Sequence, residues 1–283
     1  MSPRKSTPIA LSLVVLVLAL IAAPAHAEGT PDAGAGHYAN GYAALKQGNI
    51  DEAARHFLAA AKAVPTNQTY VQQALGLRKV QGLRRYVAKN DLSPKWTNAA
   101  RSLHLFYLQN GLGSLAVEID AVAHQRMQSA DSALWLAEAY LETGQNAEAT
   151  ALLAPYANQS AHLAAYHALA LARLGRLDDA RRVAQRAVPA ADAEPAVLFS
   201  AARLNAVLGQ TPQALAYLKT SFERTPTAAL PYSKTRAQAS PDLASLTALP
   251  AFAEVLKTES QVKETCSGGS SCSSCPNRGS CGK

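Results

Sequence analysis

The apolar positions of this chain do not alternate with polar ones as they would along half-buried strands. Valine, isoleucine and threonine never accumulate in alternating runs, so the sequence holds no convincing strand. Alanine and leucine dominate instead, and aromatic residues make up only 6% of the chain. Alanine has the highest helix propensity, and its small side chain lets neighbouring helices approach closely. The pattern therefore predicts an all-α fold.

Glycines recur along the chain at a nearly constant interval, as is typical of repeat proteins. Gaps of 34, 29, 33, 31 and 34 residues separate the members of this series: Gly48, Gly82, Gly111, Gly144, Gly175 and Gly209. A small residue stands about seven positions before four of them: Gly41, Ala137, Ala168 and Ala202. An alanine stands five positions after five of them: Ala53, Ala116, Ala149, Ala180 and Ala214.

This spacing predicts a unit of two antiparallel helices joined by a tight turn. The glycine supplies the left-handed residue that ends the first helix, and the small residues let the two helices cross closely. Larger residues fill the space beside them: Phe57, Leu136, Tyr140, Leu153 and Leu218. Pro65 and Pro226 close their units, because proline cannot continue a helix.

Polar residues at the expected helix starts agree with this division. Asn49 with Glu52 predicts a capping box. Thr211 before Pro212 predicts an N-cap followed by proline at the first helical position, and Ser93 before Pro94 predicts the same arrangement.

Taken together, these residues resemble the tetratricopeptide repeat family, whose pattern contains Leu-Gly, a tyrosine, a turn glycine, alanine, an aromatic residue, alanine and proline. The resemblance covers residues 34–226, or five to six units. The copies at Gly48, Gly144, Gly175 and Gly209 match well, and the copy at Gly111 matches through Leu103, Tyr107 and Ala116. Another helical-hairpin solenoid is the alternative.

The copy around Gly82 departs from the pattern. Val87 stands where the other copies have alanine, and basic residues crowd the glycine. Its first helix could therefore run differently from those of the other copies.

The resemblance implies a right-handed superhelical solenoid with a groove lined by the first helices of the hairpins. Such a groove binds peptides or partner proteins, so the resemblance predicts an adaptor rather than an enzyme. The residues expected to face the groove are Tyr42, Leu45, Tyr107, Glu138, Tyr140, Leu171, Arg173, Asn205 and Leu208.

Residues 227–258 are expected to cap the array, since a repeat row needs an end unit over its last apolar face. Leu230-Pro231 breaks the chain in this interpretation. One helix is predicted to open at Ser240-Pro241-Asp242, and a last one at Leu249-Pro250.

Residues 1–27 predict a cleaved export signal. Arg4 and Lys5 precede an apolar run from Ile9 to Ala23 that is too short to span a membrane, and the run ends in a small-x-small cleavage pattern at Ala27. The protein is therefore expected in the periplasm or outside the cell, without a membrane span after cleavage. Removing the two cations lowers the net charge from +7 to +5, which is not a nucleic-acid signature.

All four cysteines lie in the tail, residues 259–283, at C-x5-C-x2-C-x5-C spacing: Cys266, Cys272, Cys275 and Cys281. Three interpretations stay open. Export favours disulfides. Four thiolates could also bind zinc, cuprous copper or a cluster, although the single C-x2-C is weaker than a paired zinc motif. Free thiols for exchange or attachment are the third.

A cluster of cations is the largest charge feature: Arg78, Lys79, Arg84, Arg85, Lys89 and Lys95. It is either a solvated face or a docking patch for an acidic partner, a polysaccharide or a lipid head group. Aromatic residues near it are too few to predict single-stranded nucleic acid. The histidines are scattered, no catalytic motif occurs, and the chain is therefore predicted to be non-enzymatic.

Overall fold

A computed structural model describes residues 32–262, so the predicted export signal and the four tail cysteines lie outside the described residues. Within that range the chain is all-helical and contains no strand, which confirms the predicted all-α class. Its α-helices are α1 (Ala35–Lys46), α2 (Ile50–Ala63), α3 (Gln68–Lys89), α4 (Pro94–Gln109), α5 (Gly113–Met127), α6 (Ala130–Glu142), α7 (Asn146–Leu153), α8 (Ala161–Arg173), α9 (Leu177–Ala184), α10 (Pro195–Val207), α11 (Thr211–Arg224), α12 (Leu230–Ala239) and α13 (Pro250–Leu256). A 3-10 helix, Pro241–Leu246, precedes α13.

The chain forms two compact units. Unit 1 extends to Gln159 and includes Arg173–Gly175, and unit 2 comprises Ser160–Ala172 and the residues from Arg176 onward. In unit 1, helices that follow one another in the chain pack together: α2 lies against α1 and α3, and α5 lies against α4 and α6. The core of this unit is built around Phe57, Leu77 and Trp96.

Five of the six glycines in the repeating series occupy left-handed turns, as predicted. Their φ angles lie between +69° and +78°: Gly48, Gly111, Gly144, Gly175 and Gly209. In each turn the amide after the glycine donates to the carbonyl four residues before the glycine, at distances from 2.8 to 3.0 Å. This repeated bond satisfies a carbonyl at the end of the first helix and defines the same hairpin five times.

The sixth glycine, Gly82, does not form a turn, and the copy that departs from the repeat pattern does follow a different path. Gly82 lies inside α3, which runs without interruption from Gln68 to Lys89. An interior glycine costs a helix only about 1 kcal/mol. Continuing the helix buries Val87 and lets its carbonyl accept a 3.0 Å hydrogen bond from the indole of Trp96, which is also buried. These contacts outweigh the small cost of the glycine.

The small residues of the repeat are buried where the helices cross. All five alanines that follow the glycines have no exposed surface, and neither do Ala137, Ala168 and Ala202. At Gly41, an added Cβ would lie 2.9 Å from the ring of Phe57. The crossing points of the hairpins therefore lie where the small residues of the sequence predicted them.

The predicted helix starts have mixed outcomes. Ser93 caps α4, its hydroxyl accepting from the Trp96 amide at 3.2 Å, and Pro94 is the first helical residue. The prediction of an Asn49–Glu52 capping box is wrong, because the Asn49 side chain makes no cap hydrogen bond and instead donates to the Gln47 side chain at 3.3 Å. Helix α11 begins at Thr211 itself, one residue earlier than expected.

At the end of unit 2, α12, the 3-10 helix and α13 follow the last hairpin. Helix α12 begins at Leu230, so Leu230-Pro231 opens a helix rather than breaking the chain. The helix starts expected at Pro241 and Pro250 are confirmed. Leu243, Leu246 and Phe252 join the core that α10 and α11 form. These elements cover apolar surface of the final hairpin, as an end unit must.

Candidate partner-binding cleft

An open cleft of about 670 Å³ lies in unit 1. Its walls are the second half of α3 and one face of α5, its floor is formed by α4, and Asp51 near the start of α2 completes the lining. The lining residues are Asp51, Gln81, Arg84, Arg85, Val87, Ala88, Leu103, Tyr107, Leu115, Glu118, Ile119, Val122 and Arg126.

Helix α5 presents two apolar stripes, and one of them faces the cleft. Ala116 and Ala123 belong to the stripe that is buried in the core. Leu115, Ile119 and Val122 are spaced four and three residues apart, so they form a second stripe on the same helix. Leu115 and Ile119 are half-buried, and Val122 is 37% exposed. The described part of the chain therefore leaves this stripe incompletely covered.

The opposite wall, α3, is strongly cationic. The helix carries five basic residues and no acidic one, and its cations are Arg78, Lys79, Arg84, Arg85 and Lys89. Within the cleft, Asp51 accepts a 2.7 Å hydrogen bond from Gln81 and lies 3.8 Å from the Arg84 guanidinium. This one carboxylate offsets a single charge of the wall.

Arg126 stands at the end of the α5 stripe and is held in place by its neighbours. Its guanidinium donates to the Asn90 carbonyl at 3.0 Å and lies 5.0 Å from the centre of the Trp96 ring. A guanidinium fixed in this way retains donors for an incoming carboxylate, because it has five N–H groups. The cleft thus combines an apolar stripe with arginines on two sides.

Two members of the predicted cationic patch, Arg84 and Arg85, line this cleft, whereas Arg78, Lys79 and Lys89 lie elsewhere along α3. The ammonium of the remaining residue, Lys95, lies over the Tyr86 ring at 4.9 Å. The patch therefore forms a basic side of the cleft that continues along α3.

Of the residues predicted to face a groove, only Tyr107 reaches the cleft, and it lies in the floor with 4% of its surface exposed. Burial raises the pKa of its hydroxyl, and the nearby Arg84 charge opposes that shift. Leu45 and Leu171 are 3% exposed and belong to the cores of units 1 and 2 respectively. Helix packing leaves little of these three side chains exposed, and their contact with a partner stays a prediction.

The other predicted groove residues of unit 1 lie outside the cleft. Tyr42 is hydrogen-bonded to Gln73 at 3.1 Å and to Tyr38 at 3.3 Å. Tyr140 is half-buried, and Arg173 donates to the Leu141 carbonyl at 2.5 Å. None of these is among the residues that line the cleft.

The remaining two groove residues belong to unit 2. The Asn205 side chain donates to the Ala201 carbonyl at 2.8 Å, and Leu208 packs against the core of that unit. Both side chains therefore have contacts within their own unit.

Glu138, the last of the predicted set, belongs to a buried polar cluster that the sequence did not indicate. The His104 Nδ1 lies 2.7 Å from Asp120, and its Nε2 lies 3.5 Å from Glu138. Burial alone lowers the pKa of His104, but the hydrogen bonds and charges of the two carboxylates outweigh it and raise that pKa to about 9. The cluster holds α4, α5 and α6 together.

Only a weak feature of the sequence indicates the cleft. The α5 stripe of Leu115, Ile119 and Val122 lies directly beside the buried alanine stripe, so α5 is apolar over more than one face. A helix with such a broad apolar surface needs a second neighbour. That excess, together with the cations after Gly82, would have pointed to the cleft.

Within residues 32–262, no group of three or more histidine, cysteine, aspartate or glutamate side chains is arranged to hold a metal ion. No helix of this range is long and apolar enough to cross a membrane. No protein-family model matches the chain, and no curated protein is significantly similar to it.

Proposed function

We propose that this chain is a non-enzymatic adaptor that binds a segment of a partner protein in the cleft between α3 and α5. The observation that carries the proposal is the second apolar stripe of α5, which faces a cationic helix across an open cleft. Exposed apolar surface rimmed by polar and charged residues marks interaction sites on soluble proteins.

The proposal includes a tetratricopeptide-like, right-handed superhelical arrangement of the hairpins. It is supported by the five left-handed glycine turns with the same closing hydrogen bond and by the buried alanines at each crossing. It also includes export to the periplasm or beyond the cell, which the apolar run of Ile9 to Ala23 supports.

Site-specific photo-crosslinking in the native host tests the adaptor proposal. A photoreactive amino acid replaces Val122 in the cleft of the full chain, and the matched control carries it at Leu58, which is also exposed but lies outside the cleft on α2. A discrete protein adduct is expected from position 122 and none of the same mass from position 58. Identical adducts from both positions, or none from position 122, would overturn the proposal.

A second candidate function rests on the tail. All four cysteines lie within the last eighteen residues of the chain, in a segment without large apolar residues. We propose metal binding by the thiolates of Cys266, Cys272, Cys275 and Cys281, with zinc or cuprous copper as the ion, as the alternative to disulfides.

Elemental analysis and thiol titration of anaerobically purified protein distinguish the three states of the tail: bound metal, disulfides and free thiols. The control is a variant in which all four cysteines are replaced by serine. Metal that is present in the wild-type protein and lost in this variant supports the site, whereas a metal-free protein without free thiols leaves disulfides.

A further inference from the structure

We infer that the cleft binds an acidic amphipathic helix of the partner protein, which occupies the place of a hairpin helix that this chain lacks. The inference rests on the proposed adaptor function and adds the conformation and charge of the bound segment. Three features of unit 1 lead to it: the order of the helices, the uncovered stripe of α5 and the charge of α3.

In the order of the helices, α3 lacks the second helix that would complete a hairpin. Hairpins α1–α2 and α4–α5 each contain a glycine turn, whereas α3 runs through Gly82 and is followed directly by α4. In the two hairpins that flank α3, the second helix contacts its own first helix and the next one: α2 contacts α1 and α3, and α5 contacts α4 and α6. By the same rule, a second helix after α3 would contact α3 and α4.

The cleft lies at that position. One wall and the floor come from α3 and α4, and the remaining borders come from α2 and α5, the second helices of the flanking hairpins. A second helix after α3 would have these two as its lateral neighbours. The cleft is therefore bordered by the same helices that such a helix would contact.

The stripe on α5 supplies the apolar contact for such a helix. Leu115, Ile119 and Val122 extend along about two turns of α5 on the side toward the cleft. An amphipathic helix that binds in a groove contacts it through residues spaced i, i+3 or i+4, and i+7. The spacing of the stripe matches that periodicity.

The positive charge of the cleft walls favours a negatively charged partner segment. The cleft is lined by three arginines and two carboxylates: Arg84, Arg85 and Arg126, and Asp51 and Glu118. Asp51 is already engaged by a hydrogen bond from Gln81 and by Arg84, and beyond the cleft α3 adds further cations and no anion. Complementary charge guides association and excludes partners of the wrong sign. A segment rich in aspartate and glutamate complements this wall, and a basic segment is repelled by it.

Selection from a display library tests the inference on the full-length chain. The library presents sixteen-residue helices in which every position is randomised among apolar, acidic and basic residues. Sequences retained by the wild-type protein but not by Val122→Asp are expected to be net acidic and to have apolar residues at i, i+3 or i+4, and i+7. Retained sequences that are neutral or basic, or that lack this spacing, would overturn the inference, as would an absence of retained sequences.

Charge reversal tests the role of the cationic wall with a synthetic peptide taken from the selection. The peptide should bind Arg85→Glu at least five-fold more weakly than it binds the wild-type protein. A version with lysine in place of its acidic residues should bind that variant more tightly than it binds the wild-type protein. The control is Lys62→Glu, an exposed position at the far end of α2, which should change neither affinity. Equal binding of both peptides to the wild-type protein would overturn the inference.

The two proposals fail in different ways. If cells yield a partner adduct at position 122 but the selected peptides are neutral or basic, the adaptor proposal stands and the inference of an acidic helix fails. If no adduct forms at position 122 and no peptide is retained, both proposals fail. Thermal unfolding of Val122→Asp and Arg85→Glu identifies any loss that arises from misfolding, and both positions are exposed enough to tolerate the change.

Discussion

The imidazole of His104 on α4 and the carboxylate of Asp120 on α5 form a buried ion pair, 2.7 Å from Nδ1 to Oδ2. Their side chains are only 2% and 1% exposed. On the other side of the ring, Glu138 approaches Nε2 to 3.5 Å. The histidine is therefore charged and shared by two carboxylates, and three helices of unit 1 depend on it.

Removal of this histidine should destabilise the protein strongly. In His104→Leu, the Asp120 carboxylate loses its partner while it stays buried, and breaking a buried pair in this way costs about 3–5 kcal/mol. Urea unfolding followed by circular dichroism measures the change in the free energy of unfolding. His56→Ala, which removes a more exposed histidine 4.0 Å from Glu52, is the control and should lose less than about 0.5 kcal/mol. A loss below about 1 kcal/mol for His104→Leu would contradict the assignment of a charged pair.

The same histidine predicts how stability changes with pH. Its folded pKa is raised from 6.5 to about 9, so the folded state holds the proton more tightly than the unfolded state does. The resulting stabilisation is fully present below pH 6.5 and is lost as the pH rises through about 9. The free energy of unfolding should fall by about 3 kcal/mol over that interval, and the fall should be absent from His104→Leu. A wild-type profile parallel to that of the variant would contradict the prediction.

Two glycine substitutions should shift stability in opposite directions. Gly82→Ala replaces a glycine in the interior of α3, where a Cβ meets no atom within 4 Å, so it should stabilise the chain by about 0.4–1 kcal/mol. Gly144→Ala has equal space, but its φ of +78° disfavours a side chain and should cost about 1–2 kcal/mol. Thermal unfolding compares them under one buffer condition. Destabilisation by Gly82→Ala would show that α3 is interrupted at that residue.

In unit 2, the buried pair of Arg203 and Asp242 should behave in the same way as the histidine pair. Arg203 Nε lies 2.7 Å from the Asp242 carboxylate, and this contact joins α10 to the 3-10 helix. Asp242→Ala should cost about 3–5 kcal/mol because the guanidinium then stays buried without this carboxylate. Asp178→Ala, which breaks an exposed pair with Arg181, serves as the control and should leave the free energy of unfolding nearly unchanged. Similar losses in the two variants would refute the difference that burial is expected to make.

The class of the fold and the positions of its turns were already specified by local features of the sequence. A left-handed residue at a helix end is a local requirement that glycine meets better than any other residue. The turns at Gly48, Gly111, Gly144, Gly175 and Gly209 could therefore be interpreted without knowing any contact. The alanines five residues later are equally local, since a close helix crossing excludes a larger side chain at that position.

The path of the chain at Gly82 and the lining of the cleft depended on tertiary packing. A glycine inside a helix costs little, and the burial of Val87 and Trp96 decided in favour of a continuous α3. The His104–Asp120 pair joins residues sixteen positions apart on different helices, which no local pattern records.

Packing also explains why Leu45, Tyr107 and Leu171, which were expected to face a groove, are almost fully buried. The position of a residue within a repeat identifies the helix on which it lies and the face it occupies. Its exposure is determined by the neighbouring helices that pack against that face, and those contacts exist only in the folded chain.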